Sequence, residues 1–66
     1  MVIEYSVETD GDGVEFYDGK SWHKMKKLAK ECEEGLHPHI INIERVKWVD
    51  NDDDWDIRTS LYERRD

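Results

Sequence analysis

Sixty-six residues carry 17 Asp+Glu against 10 Lys+Arg, a net charge of −7, with 36% hydrophobic and 41% charged side chains. That length supports one domain, residues 1–66, and excludes the deep, dry pocket that a larger core encloses. The single Cys excludes an intrachain disulfide framework, and no apolar run approaches the ~18 residues of a membrane span.

Residues 2–9 alternate, with Ile3, Tyr5 and Val7 on one face and Glu4, Ser6 and Glu8 on the other, the period-two pattern of a half-buried strand. Asp10-Gly11-Asp12-Gly13 then supplies a turn whose glycines tolerate positive φ. Val14 and Phe16 alternate with Glu15 and Tyr17 in a short second strand, paired antiparallel with the first. Ser21 is the expected N-cap of a helix, and Trp22, Met25, Leu28, Ala29 and Cys32 draw one apolar stripe along it. Gly35 stops the helix, and Pro38 holds the following connector open.

Residues 39–49 are rich enough in β-branched and aromatic side chains for the longest strand. Ile41 and Ile43 share one face while Val46 and Trp48 share the other, a phase flip that predicts a bulge near Glu44 and Arg45. The bend would tuck Val46 and Trp48 under the last hairpin, near Trp55. A polar loop follows at residues 50–54, and Trp55, Ile57, Thr59 and Leu61 alternate with polar neighbours in a fourth strand. The tail from Glu63 is expected to fray. The layout is an α+β domain of β-β-α-β-β order, a four-stranded, mostly antiparallel sheet with one helix packed on one face. Its expected core is Ile3, Tyr5, Val7, Phe16, Met25, Leu28, Cys32, Ile41, Ile43 and Ile57, with Trp22, Trp48 and Trp55 also on apolar faces. Tyr17 and Tyr62 fall on the presumed outer face. The low hydropathy opposes folding, but three Trp, three Tyr, one Phe and the clear periodicity support it.

Charge falls in blocks. Residues 1–19 hold six acids and no base, residues 20–30 hold five Lys and no acid, and residues 50–56 hold five Asp. Lys24, Lys26 and Lys27 lie in the first half of the helix and Glu31, Glu33 and Glu34 at its end. That order opposes the helix dipole by about 0.3–1 kcal/mol per charge. Either the acidic first hairpin neutralises these lysines or they face a partner.

Most catalytic chemistry fails on the residues. The Asp50–Asp56 run resembles a calcium loop at its first positions but has Trp55 where glycine is needed and Leu61 where glutamate is needed, so loose, non-specific divalent binding suits it better than a genuine calcium loop. Cys32, His37, His39 and His23 match no standard zinc spacing. Nucleotide-binding glycine motifs and a nucleophile elbow are absent. No catalytic residue, metal or cofactor is assigned, and the chain reads as a non-enzyme.

The acids are the candidate partner-binding residues: Glu4 and Glu8 with Glu15 opposite, continued by Asp52, Asp53, Asp54 and Asp56. Residues two apart on a strand are ~6.6–6.8 Å apart, a spacing similar to that of successive phosphates, so the carboxylates can imitate a nucleic-acid backbone. In size, acidity and element order over residues 2–62, the chain resembles small phage-encoded inhibitors of host machinery, namely certain type I anti-CRISPR proteins and short inhibitors of bacterial RNA polymerase. No motif carries a residue's role over from them. The resemblance implies a cytoplasmic inhibitor whose acidic surface binds a basic, nucleic-acid-handling host protein, with no direct DNA binding and no membrane association. The alternatives are a nucleic-acid-binding or regulatory module using Lys20, Lys24, Lys26, Lys27 and Lys30, and a small structural or assembly component.

Overall fold

A computed structural model describes residues 2–48 and 56–64. The elements are β1 (Val2–Thr9), β2 (Gly13–Asp18), a 3₁₀ turn (Gly19–Ser21), α1 (Trp22–Glu33), β3 (Ile40–Trp48) and β4 (Asp56–Glu63). They form a four-stranded sheet in the order β2-β1-β3-β4, with each neighbouring pair antiparallel and one helix on one face, the β-β-α-β-β arrangement expected from the residue pattern. The β1–β2 turn places Gly11 and Gly13 at φ 91° and 87°, values that only glycine reaches cheaply.

The helix begins differently from expectation. Asp18, not Ser21, does the capping: its Oδ1 accepts from the Lys20 amide at 2.7 Å and opens the 3₁₀ turn. Ser21 has φ −82° and ψ 18° and makes no side-chain cap bond, because the turn runs straight into α1. An N-cap hydroxyl normally presents itself from extended backbone, which Ser21 lacks. At the other end the Gly35 amide donates to the Cys32 carbonyl and the Leu36 amide to the Glu31 carbonyl, each at 3.0 Å. Those two bonds form a Schellman motif, with Gly35 at φ 83°.

The core lies between α1 and one face of the sheet. Tyr5, Val7, Met25, Ala29, Cys32, Ile40 and Ile43 are buried together, with Ile3, Tyr17, Leu28, Leu61 and Tyr62 packed against them. Three sequence expectations are corrected. Phe16 is 52% exposed, because the hairpin register sets it opposite Ser6 on the helix-free face. Ile57 is on the helix side, opposite Lys47, yet is exposed because nothing described packs over it there. Tyr17 and Tyr62 lean on the core rather than facing outward, since their strand partners are Tyr5 and Ile43. Trp22 and Trp48 also keep a large part of their surface exposed, while Trp55 lies outside the described residues.

The expected bulge is also relocated. The β1–β3 pairing runs without a fault from Asn42 to Trp48, so β3 carries no extra residue at Glu44 and Arg45. Ile43 and Val46 simply point to opposite faces, and both are fully buried. The register instead shifts between Ile43 and Glu44 on the β4 side, where Leu61 is the extra residue. A second shift, between Glu8 and Thr9, leaves Ile41 as an extra residue on β3.

Two stability outcomes follow from this packing. Met25→Ala, at a fully buried site, is expected to cost about 2–5 kcal/mol in urea melts, whereas Phe16→Ala stays within about 1 kcal/mol. Gly19 sits against β1, so an added Cβ would lie 2.6 Å from the Ile3 carbonyl oxygen. Backbone on both sides leaves no flexible atom to yield. Gly19→Ala should therefore destabilise by about 1–3 kcal/mol, and an unchanged urea midpoint would show that the 3₁₀ turn can lift away.

Candidate functional site

The sheet has a second face that α1 does not cover, and strand alternation decides what it carries. Its rows follow from the register. Val2 pairs with Trp48; Asp18, Glu4, Val46 and Arg58 form one line; Phe16, Ser6, Glu44 and Ser60 form the next; Val14, Glu8, Asn42 and Glu63 form the last. Among the described side chains five carboxylates, Glu4, Glu8, Asp18, Glu44 and Glu63, therefore share this face, and Asp56 takes the register position opposite Trp48. Arg58 lies among them with its Nη1 3.4 Å from Glu44 Oε1. Arg64 stands at the margin beside Glu8 and Glu63, its guanidinium donating to the Pro38 carbonyl at 3.0 Å.

Two features distinguish this surface from an ordinary solvated one. Glu4 and Asp18 are direct cross-strand partners, an arrangement of like charges that destabilises a sheet. Exposed apolar side chains border the acids on both sides: Val14 and Phe16 on β2, and the Val2–Trp48 pair at the far end. Between them Val46 and Ser6 are buried, giving a packed centre rather than a loose one.

The structure brings together only part of the sequence-predicted set. Glu4 and Glu8 do share a face. Glu15 does not join them: it pairs with Val7 on the helix side, and its carboxylate accepts from the Tyr17 hydroxyl at 2.8 Å. That bond, with some burial, pushes the Tyr17 phenol above its ordinary pKa. Asp52, Asp53 and Asp54 lie outside the described residues, and Asp56 opens β4. Sequence reasoning missed Asp18, Glu44 and Glu63. Even spacing from Val46 and Trp48 gives Glu44 away, but Glu63 owes its side to the extra residue Leu61.

Apart from Arg58 and Arg64, the described basic side chains of α1 and β3 lie on the other side of the sheet. Among the described residues no α1 lysine forms an ion pair with the acidic hairpin. Lys24 Nζ lies 5.2 Å from the Tyr17 ring centroid and Lys26 Nζ 5.9 Å from that of Trp22, both cation–π distances. Arg45 and Lys47 project to the same side from β3, paired with Tyr5 and Ile3.

The soft-ligand set is dispersed. His37 Nε2 is 3.0 Å from Glu31 Oε1, and the His39 ring stands edge-on to His37 at 6.1 Å. Cys32 is buried under α1, and burial, followed by the nearby Glu31 charge, pushes its thiol pKa up. A groove of about 610 Å³ runs past Cys32 between Glu33 and the β4 residues Ser60–Glu63. Among the described residues, no group of three or more His, Cys, Asp or Glu side chains is placed to hold a metal ion. No described helix is long and apolar enough to cross a membrane. Comparison with protein-family models, curated proteins and solved structures gives no match.

Because a thiol attacks only as its thiolate, the raised pKa and burial of Cys32 make it slow to react. Ellman's reagent at pH 8 should modify the folded chain at least about tenfold more slowly than the urea-unfolded chain. Equal rates would place the thiol at the surface.

Proposed function

We propose that this protein is a non-enzymatic inhibitor that applies its helix-free sheet face to a basic, nucleic-acid-handling protein and occupies that protein's nucleic-acid path. The observation that carries the reading is the gathering of Glu4, Glu8, Asp18, Glu44 and Glu63 on one face, bordered by exposed Val14, Phe16, Val2 and Trp48. Carboxylates on a rigid sheet approach a basic groove with their spacing already fixed, so little ordering entropy is lost on docking. Their field raises the encounter rate and rejects nucleic acid itself. The apolar margins supply the desolvated contacts that hold an interface once charge has steered it together. The phage-inhibitor resemblance in size and layout agrees with this use.

A double reversal, Glu4→Lys with Glu8→Lys, tests the reading. Tagged wild-type protein in a nuclease-treated bacterial lysate should retain a basic nucleic-acid-binding protein, release it as salt rises, and lose it to added competing nucleic acid. The reversed variant should retain at least about tenfold less, with an unchanged circular dichroism spectrum. In gel shifts at ~0.15 M salt the wild type should leave bare DNA and RNA unbound. Retention unaffected by the reversal, or tight binding to bare nucleic acid, would refute the proposal.

A further inference from the structure

A second surface lies across the sheet from the acidic face. On the helix side the buried core is centred on Tyr5, Val7, Ile40 and Ile43, whereas Ile57 and Thr59 of β4 are exposed. There a groove of about 480 Å³ opens, lined by Tyr5, Trp22, Arg45, Thr59 and Leu61. Its floor is one cross-strand row, Tyr5–Arg45–Thr59, with the Trp22 indole rising from α1 on one side and Leu61 on the other. The volume falls in the range of about 300–1,000 Å³ typical of ligand sites. Trp22 is 40% exposed, and its ring lies 6.2 Å from that of Tyr5.

Among the described residues the charge around this groove is positive. Arg45 lies in the floor, Lys26 stands over the Trp22 ring, and Lys47 occupies the next row opposite Ile57. Among the described residues no carboxylate lines the groove, and neither Arg45 nor Lys47 forms an ion pair. A chain of net charge −7 thus keeps Arg45, a partly buried residue, beside an exposed indole with no ion-pair partner among the described residues. A guanidinium takes a carboxylate in a two-pronged bond, stronger than a neutral hydrogen bond.

We infer that the groove binds an acidic peptide segment of a partner protein, with an apolar side chain between Trp22 and Leu61 and a neighbouring carboxylate on Arg45. Two observations favour a peptide over a nucleic acid. The outer wall is β4, an edge strand, whose main chain can pair with an extended segment laid along it. The described lining holds one guanidinium among apolar and aromatic groups, which matches one carboxylate beside an apolar side chain rather than a run of phosphates. The site is separate from the acidic face and does not depend on the function proposed for it.

Fluorescence anisotropy on the full chain tests this with a dye-labelled peptide, Asp-Glu-Phe-Leu-Asp-Glu, at ~0.15 M salt. The expected result is saturable binding with Kd below ~100 μM. Arg45→Glu and Trp22→Ala should each weaken it at least about tenfold, while Lys27→Glu, outside the groove, changes it less than about twofold. Glu4→Lys with Glu8→Lys should leave peptide binding in place. Circular dichroism checks the fold of every variant, and Arg45→Gln removes the charge without adding an acid should the glutamate variant unfold. No binding up to ~1 mM overturns the inference, as does equal affinity for the same peptide with lysine at its acidic positions. Tighter binding of oligo-dT than of the peptide, lost in Arg45→Glu, also overturns it and assigns the groove to single-stranded nucleic acid.

Discussion

One helix on a four-stranded sheet is the constraint from which the other features follow. A 12-residue helix is about 18 Å long and about 10 Å wide with its side chains. The sheet's strands run up to nine residues, about 30 Å when extended, and its outer strands stand about 14 Å apart. The helix can therefore bury only part of one face. Met25, Ala29 and Cys32 close the centre over Tyr5, Val7, Ile40 and Ile43. No described helix covers the opposite face, and Thr59 beside Arg45 stays exposed.

That geometry sorts the charges. Because side chains alternate along a strand, the sheet acts as a partition between Glu4, Glu8, Asp18, Glu44 and Glu63 on one side and the helix lysines, Arg45 and Lys47 on the other. The partition has a cost, visible in the Glu4–Asp18 pairing and in lysines that lean on Tyr17 and Trp22 rather than on carboxylates. Local rules broken on both sides of a small fold suit a molecule that completes its electrostatics against other molecules. The exposed Phe16 and Trp48 on one side and Trp22 on the other supply apolar area beside each charged patch.

The helix-free face is more than a solvated back. Val46 is fully buried there without belonging to the helix-side core. Its neighbours by register are Glu4 and Arg58, with Glu44 two residues along β3 and ion-paired to Arg58. The centre of this face is held by packing and an ion pair, which fixes the surrounding carboxylates on regular strands rather than on mobile loops. A rigid array of that kind suits recognition at low entropic cost.

The local features were legible in the residues because they depend on near neighbours. Alternation marked β1, the 3.6-residue stripe marked α1, and Gly35 and the Gly11–Gly13 turn marked their own boundaries. Those signals determined the order of elements, the α+β class, and the sharing of a face by Glu4 and Glu8. Tertiary structure decided what lay across strands. The Ser6–Phe16 register turned Phe16 outward, the Val7–Glu15 pairing removed Glu15 from the acidic set, and burial of both faces of β3 made Ile43 and Val46 look like a phase fault. The extra residue Leu61 moved Glu63 onto the acidic face. Alternation is a property of one strand and can be read from it, whereas register is set by which residues meet on the neighbouring strand. A shift of one position there sends every following side chain to the other side of the sheet.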